Sequence, residues 1–214
     1  MADFIVLANA EEVAEAAAAE IAEALRAGGR TLVLTGGTSP IRTYQLLAEL
    51  DLEWGRVTVL FGDERSVPPL DAESNYRVAK ENLLDRVHPA TVHRIPAELG
   101  PDVGADLYAE VVVEEAPFDV VLLGVGEDGH VNSLFPGHKA LQATGLTADI
   151  HDSPKPPLQR VTMTLEAIRD AKLILIIATG AGKANAVATA RRGESPSGMI
   201  KHARWLIDRA AAGQ

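Results

Sequence analysis

Five short runs of β-branched and aliphatic residues, at 31–35, 57–61, 118–123, 173–178 and 204–208, constrain this chain more than any other feature. The central one, Asp119-Val120-Val121-Leu122-Leu123, lies between Pro117 and Gly124 and has no polar alternation, the pattern of a strand buried on both faces. Between the runs lie stretches with helical spacing. Residues 11–27 carry Val13, Ala17, Ile21, Ala24 and Leu25 on one face and stop at Gly28-Gly29. Helices are also expected over 39–50, starting near Pro40, over 74–86 with Ser74 as cap, over 102–115 and over 183–192. Residues 160–163 read as a further strand and 93–95 as a short one, while 141–157 is the least regular stretch and reads as a surface loop. Strand and helix in alternation predict an α/β fold: a three-layer α/β/α, mostly parallel doubly wound sheet, Rossmann-like in outline.

At 214 residues, 47% apolar and 23% charged, the chain is expected to form a single domain over 1–214. A formal charge of −10 argues against nucleic acid or an anionic membrane as partner, yet leaves room for a local cationic pocket. With no cysteine there is neither disulfide nor thiol nucleophile. The start of the chain has no basic region followed by a long apolar one, and the run 173–178 is far short of the ~20 residues of a membrane span. A cytoplasmic location with no membrane partner is the expectation; oligomeric state stays open, a monomer being compatible with the sequence.

The chemistry-bearing residues follow the strands. Ligands of open α/β sheets bind beyond the strands' carboxyl ends. After 31–35 comes Gly36-Gly37-Thr38-Ser39-Pro40, where glycines let backbone N–H groups approach a phosphate and two hydroxyls can donate to it; Ser39 as a plain helix N-cap is the alternative. After 57–61 come Asp63, Glu64 and Arg65. The Arg65 guanidinium suits a phosphate or a developing oxyanion, with Asp63 orienting it or a water, or else the two form a local ion pair. Asn75 offers an amide donor to a ligand or is simply a first-turn helix residue. After 118–123 comes Gly124-Val125-Gly126-Glu127-Asp128-Gly129-His130, in which His130 is the acid–base candidate, with an ordinary pKa near ~6.5. Asp128 either orients that imidazole or caps a short helix after Gly129.

Two generic motifs fail on physical grounds. Gly124, Gly126 and Gly129 spell GxGxxG, but Pro136 follows seven residues after Gly129 and interrupts the long helix that a dinucleotide site needs. Gly180 to Lys183 resembles a P-loop, but Ile177 stands at its first glycine and Ala184 where a magnesium-binding hydroxyl belongs. His130 and His138 are eight residues apart, which matches no common zinc spacing, so no metal is expected. His138 is expected near the pocket, while His151 and His202 read as surface or structural residues.

GVGEDGHVNSLFPGH closely resembles the GxGxDGHxxSLFP signature of the 6-phosphogluconolactonase family. LTGGTSP (34–40) is similar to that family's phosphate turn, GDERSVPPLDAESN (62–75) to its DERxVP…SN segment, Arg160-Val161-Thr162-Met163-Thr164 to its R-[VI]-T-[LM]-T strand, 179–184 to its GxxKA turn and 205–208 to its terminal strand. The resemblance runs in order along nearly the whole chain. It implies the fold shared by glucosamine-6-phosphate deaminase, ribose-5-phosphate isomerase and the CoA transferase relatives. It implies hydrolysis of 6-phospho-D-glucono-1,5-lactone to 6-phospho-D-gluconate in the oxidative pentose phosphate pathway, with His130 as general base on water and no cofactor. Motifs and resemblance together assign His130, Asp128 and Arg65 to catalysis, and Gly36, Gly37, Thr38, Ser39, Asp63, Asn75 and Lys183 to binding a small sugar phosphate, Lys183 reaching the phosphate. Two departures stand out: Thr38-Ser39 where the family has Ser-Thr, and Val131-Asn132 where it commonly has Thr-Ala. The related glucosamine-6-phosphate deaminases carry a similar GxDGH loop, but their Phe-Asn-Glu-Pro continuation is Ser133-Leu134-Phe135-Pro136 here. A sugar-phosphate sensor without turnover is the reading from another class.

Overall fold

The computed structural model describes residues 2–214. Its strands are β1 (Asp3–Leu7), β2 (Thr31–Leu34), β3 (Thr58–Phe61), β4 (Asp63–Arg65), β5 (Thr91–Val92), β6 (Val120–Gly124), β7 (Thr147–Ile150), β8 (Arg160–Met163), β9 (Leu173–Ala178) and β10 (Arg204–Asp208). Its α-helices are α1 (Ala10–Arg26), α2 (Ile41–Leu47), α3 (Asn75–Ala79), α4 (Pro101–Glu115), α5 (Leu165–Ile168) and α6 (Ala184–Arg192). Seven strands form one parallel sheet in the order β1-β10-β9-β6-β2-β3-β5, and helices flank it to give the three-layer α/β/α arrangement expected.

The runs without polar alternation are the buried central strands. β2 and all of β6 but its last residue are fully buried, as parallel strands covered on both faces must be. α1 buries Val13, Ala14, Ala17, Ala18, Ile21, Ala22 and Leu25, and alanine's small side chain lets it pack close to β9 and β10. Asn9 caps it by accepting from the Glu12 N–H at 3.0 Å, while a Glu12 carboxylate oxygen accepts from the Ala8 N–H, a reciprocal cap.

Four features depart from the sequence expectation. Residues 3–7 form an edge strand, β1, in register with β10 and with Phe4 stacked on Trp205 at 5.1 Å. The short strand at the far edge is Thr91–Val92, not 93–95; the Val59 carbonyl takes the His93 N–H and the chain then leaves the sheet. The region 141–157 is not all loop: β7 pairs antiparallel with β8, and β8 with β4, making a separate three-stranded sheet. The helix over 74–86 begins at Ser74 as expected, its hydroxyl accepting from the Arg77 N–H, but widens into a π-turn over Lys80–Leu84. No helix among the described residues is long and apolar enough to cross a membrane.

The order of strands places the site. From β2 the chain moves outward to β3 and β5, whereas β6, β9 and β10 extend the other way. β2 and β6 are adjacent, so the loops at their carboxyl ends diverge and leave a crevice between them. Two buried tyrosines pin the carboxyl ends of β2 and β3. The Tyr44 hydroxyl donates to the Thr35 carbonyl at 2.6 Å and accepts its N–H at 3.0 Å; Tyr108 does the same for Phe61 at 3.0 and 2.9 Å. Burial pushes both phenols well above their ordinary pKa, so they stay protonated and able to donate.

Candidate active site

A cleft of about 350 Å³ opens at that crevice. Its walls are the turn after β2 (Thr35 to Ser39), Asp63 and Arg65 of β4, Asn75 at the start of α3, the loop after β6 (Gly124 to Glu127, His130 and Asn132), and Lys155, Arg160 and Lys183. Three glycines make the walls close. A Cβ on Gly126 would sit 2.0 Å from His130 Nδ1, one on Gly36 1.8 Å from Asn75 Oδ1, and one on Gly62 2.4 Å from Asn132 Oδ1. Only a residue without a side chain leaves these polar groups their places.

His130 and Asp128 form the centre of the loop. The Gly126 N–H donates to the His130 carbonyl at 2.9 Å and the Gly129 N–H to the Gly126 carbonyl at 2.9 Å, with Gly129 at φ +83° completing the tight turn. The turn is held from outside by the Ser197 N–H on the Gly129 carbonyl. It brings His130 Nδ1 to 2.5 Å from Asp128 Oδ1. A carboxylate accepts only, so Nδ1 carries the proton and Nε2 keeps its lone pair. The ring is largely buried against Phe135, with centroids 4.5 Å apart. Burial pushes the His130 pKa below its ordinary value, with Asp128 opposing the shift, so the imidazole is neutral and basic at neutral pH. Burial pushes Asp128 up, but its hydrogen bond and charge interaction with His130, and its ion pair with Lys155 Nζ at 3.2 Å, outweigh that and hold it below the usual carboxylate range.

The cleft inverts the charge of the whole chain. Arg65, Lys155, Arg160 and Lys183 line it against the carboxylates of Asp63 and Glu127 only. Asp63 is internally committed: Oδ1 accepts from Asn75 Nδ2 at 3.0 Å and Oδ2 from Ser133 Oγ at 2.6 Å. Lys183 follows β9, and burial pushes its ammonium down, partly offset by Glu127. Such a cleft favours an anionic ligand next to a neutral base.

The family described as glucosamine-6-phosphate isomerases/6-phosphogluconolactonase matches residues 7–209. This chain belongs to that family. The 6-phosphogluconolactonase of Streptomyces coelicolor is 40% identical to it over 244 aligned residues, covering 98% of this chain and 93% of the relative. That of Mycobacterium tuberculosis is 38% identical over 235, covering 98% and 94%. The crystal structure of a 6-phosphogluconolactonase from Thermotoga maritima superposes with a TM-score of 0.89 at 25% identity, over 98% of this chain and all of the other.

In this member of the glucosamine-6-phosphate isomerase/6-phosphogluconolactonase family, all the residues assigned from sequence to catalysis or binding except Asp128 line the cleft directly, and Asp128 reaches it through His130. Some details differ from expectation. Asp63 does not orient Arg65; it holds Asn75 and Ser133, while the Arg65 guanidinium donates to the Glu73 carbonyl. The Asn75 amide N–H₂ is taken up by Asp63 and its Oδ1 is buried against Gly36, so Asn75 does not offer the amide donor expected of it. Ser39 does not cap α2; Pro40 is the cap residue and makes no side-chain bond, which leaves the hydroxyls of Thr38 and Ser39 free for a ligand. Glu64, between two site residues, is structural: buried, it accepts from the Arg65, Asn75 and Tyr76 N–H groups and from Ser74 Oγ. His138 is not in the cleft wall; its ring bonds Asp152 and the Ala140 N–H.

Sequence reasoning missed Lys155 and Arg160. The buried Arg160 guanidinium donates to the carbonyls of Lys155, Pro156 and Pro157 and stacks over Phe135 at 5.4 Å. It thereby fixes the segment that aims Lys155 at Asp128. The signal was present: a lone lysine among three prolines, close before an arginine that opens a buried strand.

Proposed function

We propose that this chain is a 6-phosphogluconolactonase, a carboxylic-ester hydrolase that opens 6-phospho-D-glucono-1,5-lactone to 6-phospho-D-gluconate, with residues 1–214 working as one domain. The observation that carries the reading is a neutral imidazole, fixed by Asp128 with Nε2 free, in a cleft lined by four cations. In this reading the phosphate lies between the Gly36 to Ser39 turn and Lys183, with Arg65 sharing the charge. His130 Nε2 removes a proton as water attacks the lactone carbonyl, forming the new C–O bond and a tetrahedral oxyanion. The positive lining, Lys155 included, stabilises that oxyanion, and Asp128 stabilises the imidazolium. Collapse breaks the bond to the ring oxygen, which receives the proton from His130. Neither step moves electrons between molecules, so no redox group enters. A sugar phosphate dianion is too costly to pass through an apolar bilayer, and the cytoplasm is the proposed compartment.

The deaminase reading is disfavoured by Phe135. It occupies the position of glutamate in the Phe-Asn-Glu-Pro pattern and packs its ring on His130, so no carboxylate stands there. The test is acid release from freshly generated lactone against the spontaneous background, for wild type and His130→Ala. The expected result is a large acceleration that falls by about 10²- to 10⁴-fold in the variant while phosphogluconate binding persists. A wild-type rate equal to background refutes the lactonase; ammonia release from glucosamine 6-phosphate, or binding without turnover, would then identify a deaminase or a sensor.

A further inference from the structure

Asp208 closes β10, and the parallel register that sets Ile207 beside Ala178 puts it next to the point where β9 ends and the chain turns toward Lys183. The residue is 6% exposed. Both carboxylate oxygens accept from the Gly180 N–H, Oδ1 at 3.0 Å and Oδ2 at 2.9 Å, and Oδ1 also accepts from the Ala211 N–H at 2.7 Å. A buried carboxylate is costly unless such bonds hold it. Gly180 has φ +87° and ψ 153°, a region essentially closed to residues with a side chain. Its carbonyl accepts from the Lys183 N–H at 3.0 Å, closing the single turn that leads into α6. Asp208 therefore holds the amide of the residue whose carbonyl holds Lys183. On its other side the turn meets the loop after β6, where a Cβ on Gly182 would lie 2.9 Å from Glu127 Oε1. The turn is wedged between the last strand and the His130 loop, and Lys183 emerges from it into the cleft wall.

We infer that Asp208 is a positioning residue for phosphate recognition: its buried carboxylate fixes the Gly180 turn so that Lys183 enters the cleft where the phosphate lies, without touching the substrate itself. The inference rests on the lactonase reading for Lys183 as the partner of the phosphate and on geometry for the link from Asp208. A lysine ammonium rides on a flexible four-carbon stem, so its reach depends on where the backbone sets its Cα. The link also asks for a carboxylate. An ionised carboxyl group only accepts, whereas a carboxamide of the same shape turns its N–H₂ toward the Gly180 N–H in either orientation, because both oxygens of Asp208 bond that amide.

The test is Asp208→Asn, which keeps the shape and sets two donors against each other at Gly180. Wild type and variant are compared by kinetics on 6-phosphogluconolactone and on non-phosphorylated glucono-1,5-lactone, by calorimetric binding of 6-phosphogluconate, and by thermal unfolding as the check on folding. The expected result is about 5- to 10-fold weaker binding of phosphogluconate and a matching rise in KM for the phosphorylated lactone, with kcat changed less than about threefold. On the non-phosphorylated lactone kcat/KM should stay within about twofold. Adding Lys183→Ala to Asp208→Asn should cost less than about threefold further, because a displaced ammonium has already lost its contact. Gly180→Ala reaches the same turn by another route: no atom lies within 4 Å of the added Cβ, so it strains only the backbone, and it should give the same phosphate-specific loss. If Asp208→Asn does not fold, Gly180→Ala decides on the same criteria. Unchanged phosphogluconate affinity in a folded variant overturns the inference. So does an equal loss on both lactones, which would make Asp208 a support of the whole fold, and so does full additivity with Lys183→Ala. A wild type that binds phosphogluconate without opening the lactone, and loses that binding in the variant, refutes the lactonase and supports the positioning. A wild type that opens the lactone while the folded variants keep full phosphogluconate affinity does the reverse.

Discussion

Replacing Asp128 by asparagine removes one charge, changes almost no volume and leaves the loop's backbone bonds in place. In the wild type Asp128 Oδ1 lies 2.5 Å from His130 Nδ1, and the imidazole becomes a cation only as water attacks. At an effective dielectric of ~20, unit charges ~4 Å apart attract by about 4 kcal/mol. At about 1.36 kcal/mol per tenfold change, that is roughly 10³ in rate. The Asp128 side chain is 34% exposed, and screening on its outer side brings the expected loss in kcat to about 10²- to 10³-fold. KM should move by less than threefold, because the imidazole is neutral in the ground state. The acid limb of the rate also has a predictable sign. Burial depresses the His130 pKa and Asp128 partly restores it, while Lys155, paired with Asp128, depresses it. Removing the carboxylate takes away the restoring charge and leaves Lys155 uncompensated, so the acid limb of kcat/KM shifts to lower pH even as the plateau falls. The assay is stopped-flow acid release between about pH 4.5 and 7.5, with the spontaneous rate subtracted. A variant retaining more than a third of wild-type kcat, or an acid limb that moves to higher pH, would refute the pairing as the source of the base.

Two further outcomes follow from named contacts. Lys183→Ala should weaken phosphogluconate by about 10-fold or more and leave affinity for a non-phosphorylated gluconate unchanged, since the ammonium contributes charge rather than shape; calorimetry with the two acids measures the difference. Tyr44→Phe strands the Thr35 N–H and carbonyl in the core beside the Gly36 to Ser39 turn, and urea unfolding should show a loss of about 1–3 kcal/mol.

Much of the parallel sheet was legible because burial on both faces leaves little choice of composition: 32–34, 120–123 and 173–178 are apolar throughout, and α1 carries one apolar stripe. The edges were not. β1 lies at the sheet's margin with an exposed and half-buried pattern, and β5 is two exposed residues long, so neither carries the signal of a buried strand. β7 reads as loop because a four-residue antiparallel strand takes its stability from β8, a partner chosen by tertiary pairing rather than by local preference.

The site divides along the same line. The sequence by itself determined the chemical types, since a glycine turn, an Asp-Gly-His loop and a lysine turn each follow a strand, and a parallel sheet must bring the ends of its strands to one edge. Only the tertiary structure decided which partner each group took. Asp63 went to Asn75 and Ser133 instead of Arg65; Arg160 fixed a proline-flanked lysine onto Asp128; the Asn132 amide was buried against Gly62 with no hydrogen-bond partner among the described residues. Each of those pairings joins residues that are far apart in the chain, or leaves one unmatched, and depends on distances that exist only once β4, β8 and the loop after β6 have packed together.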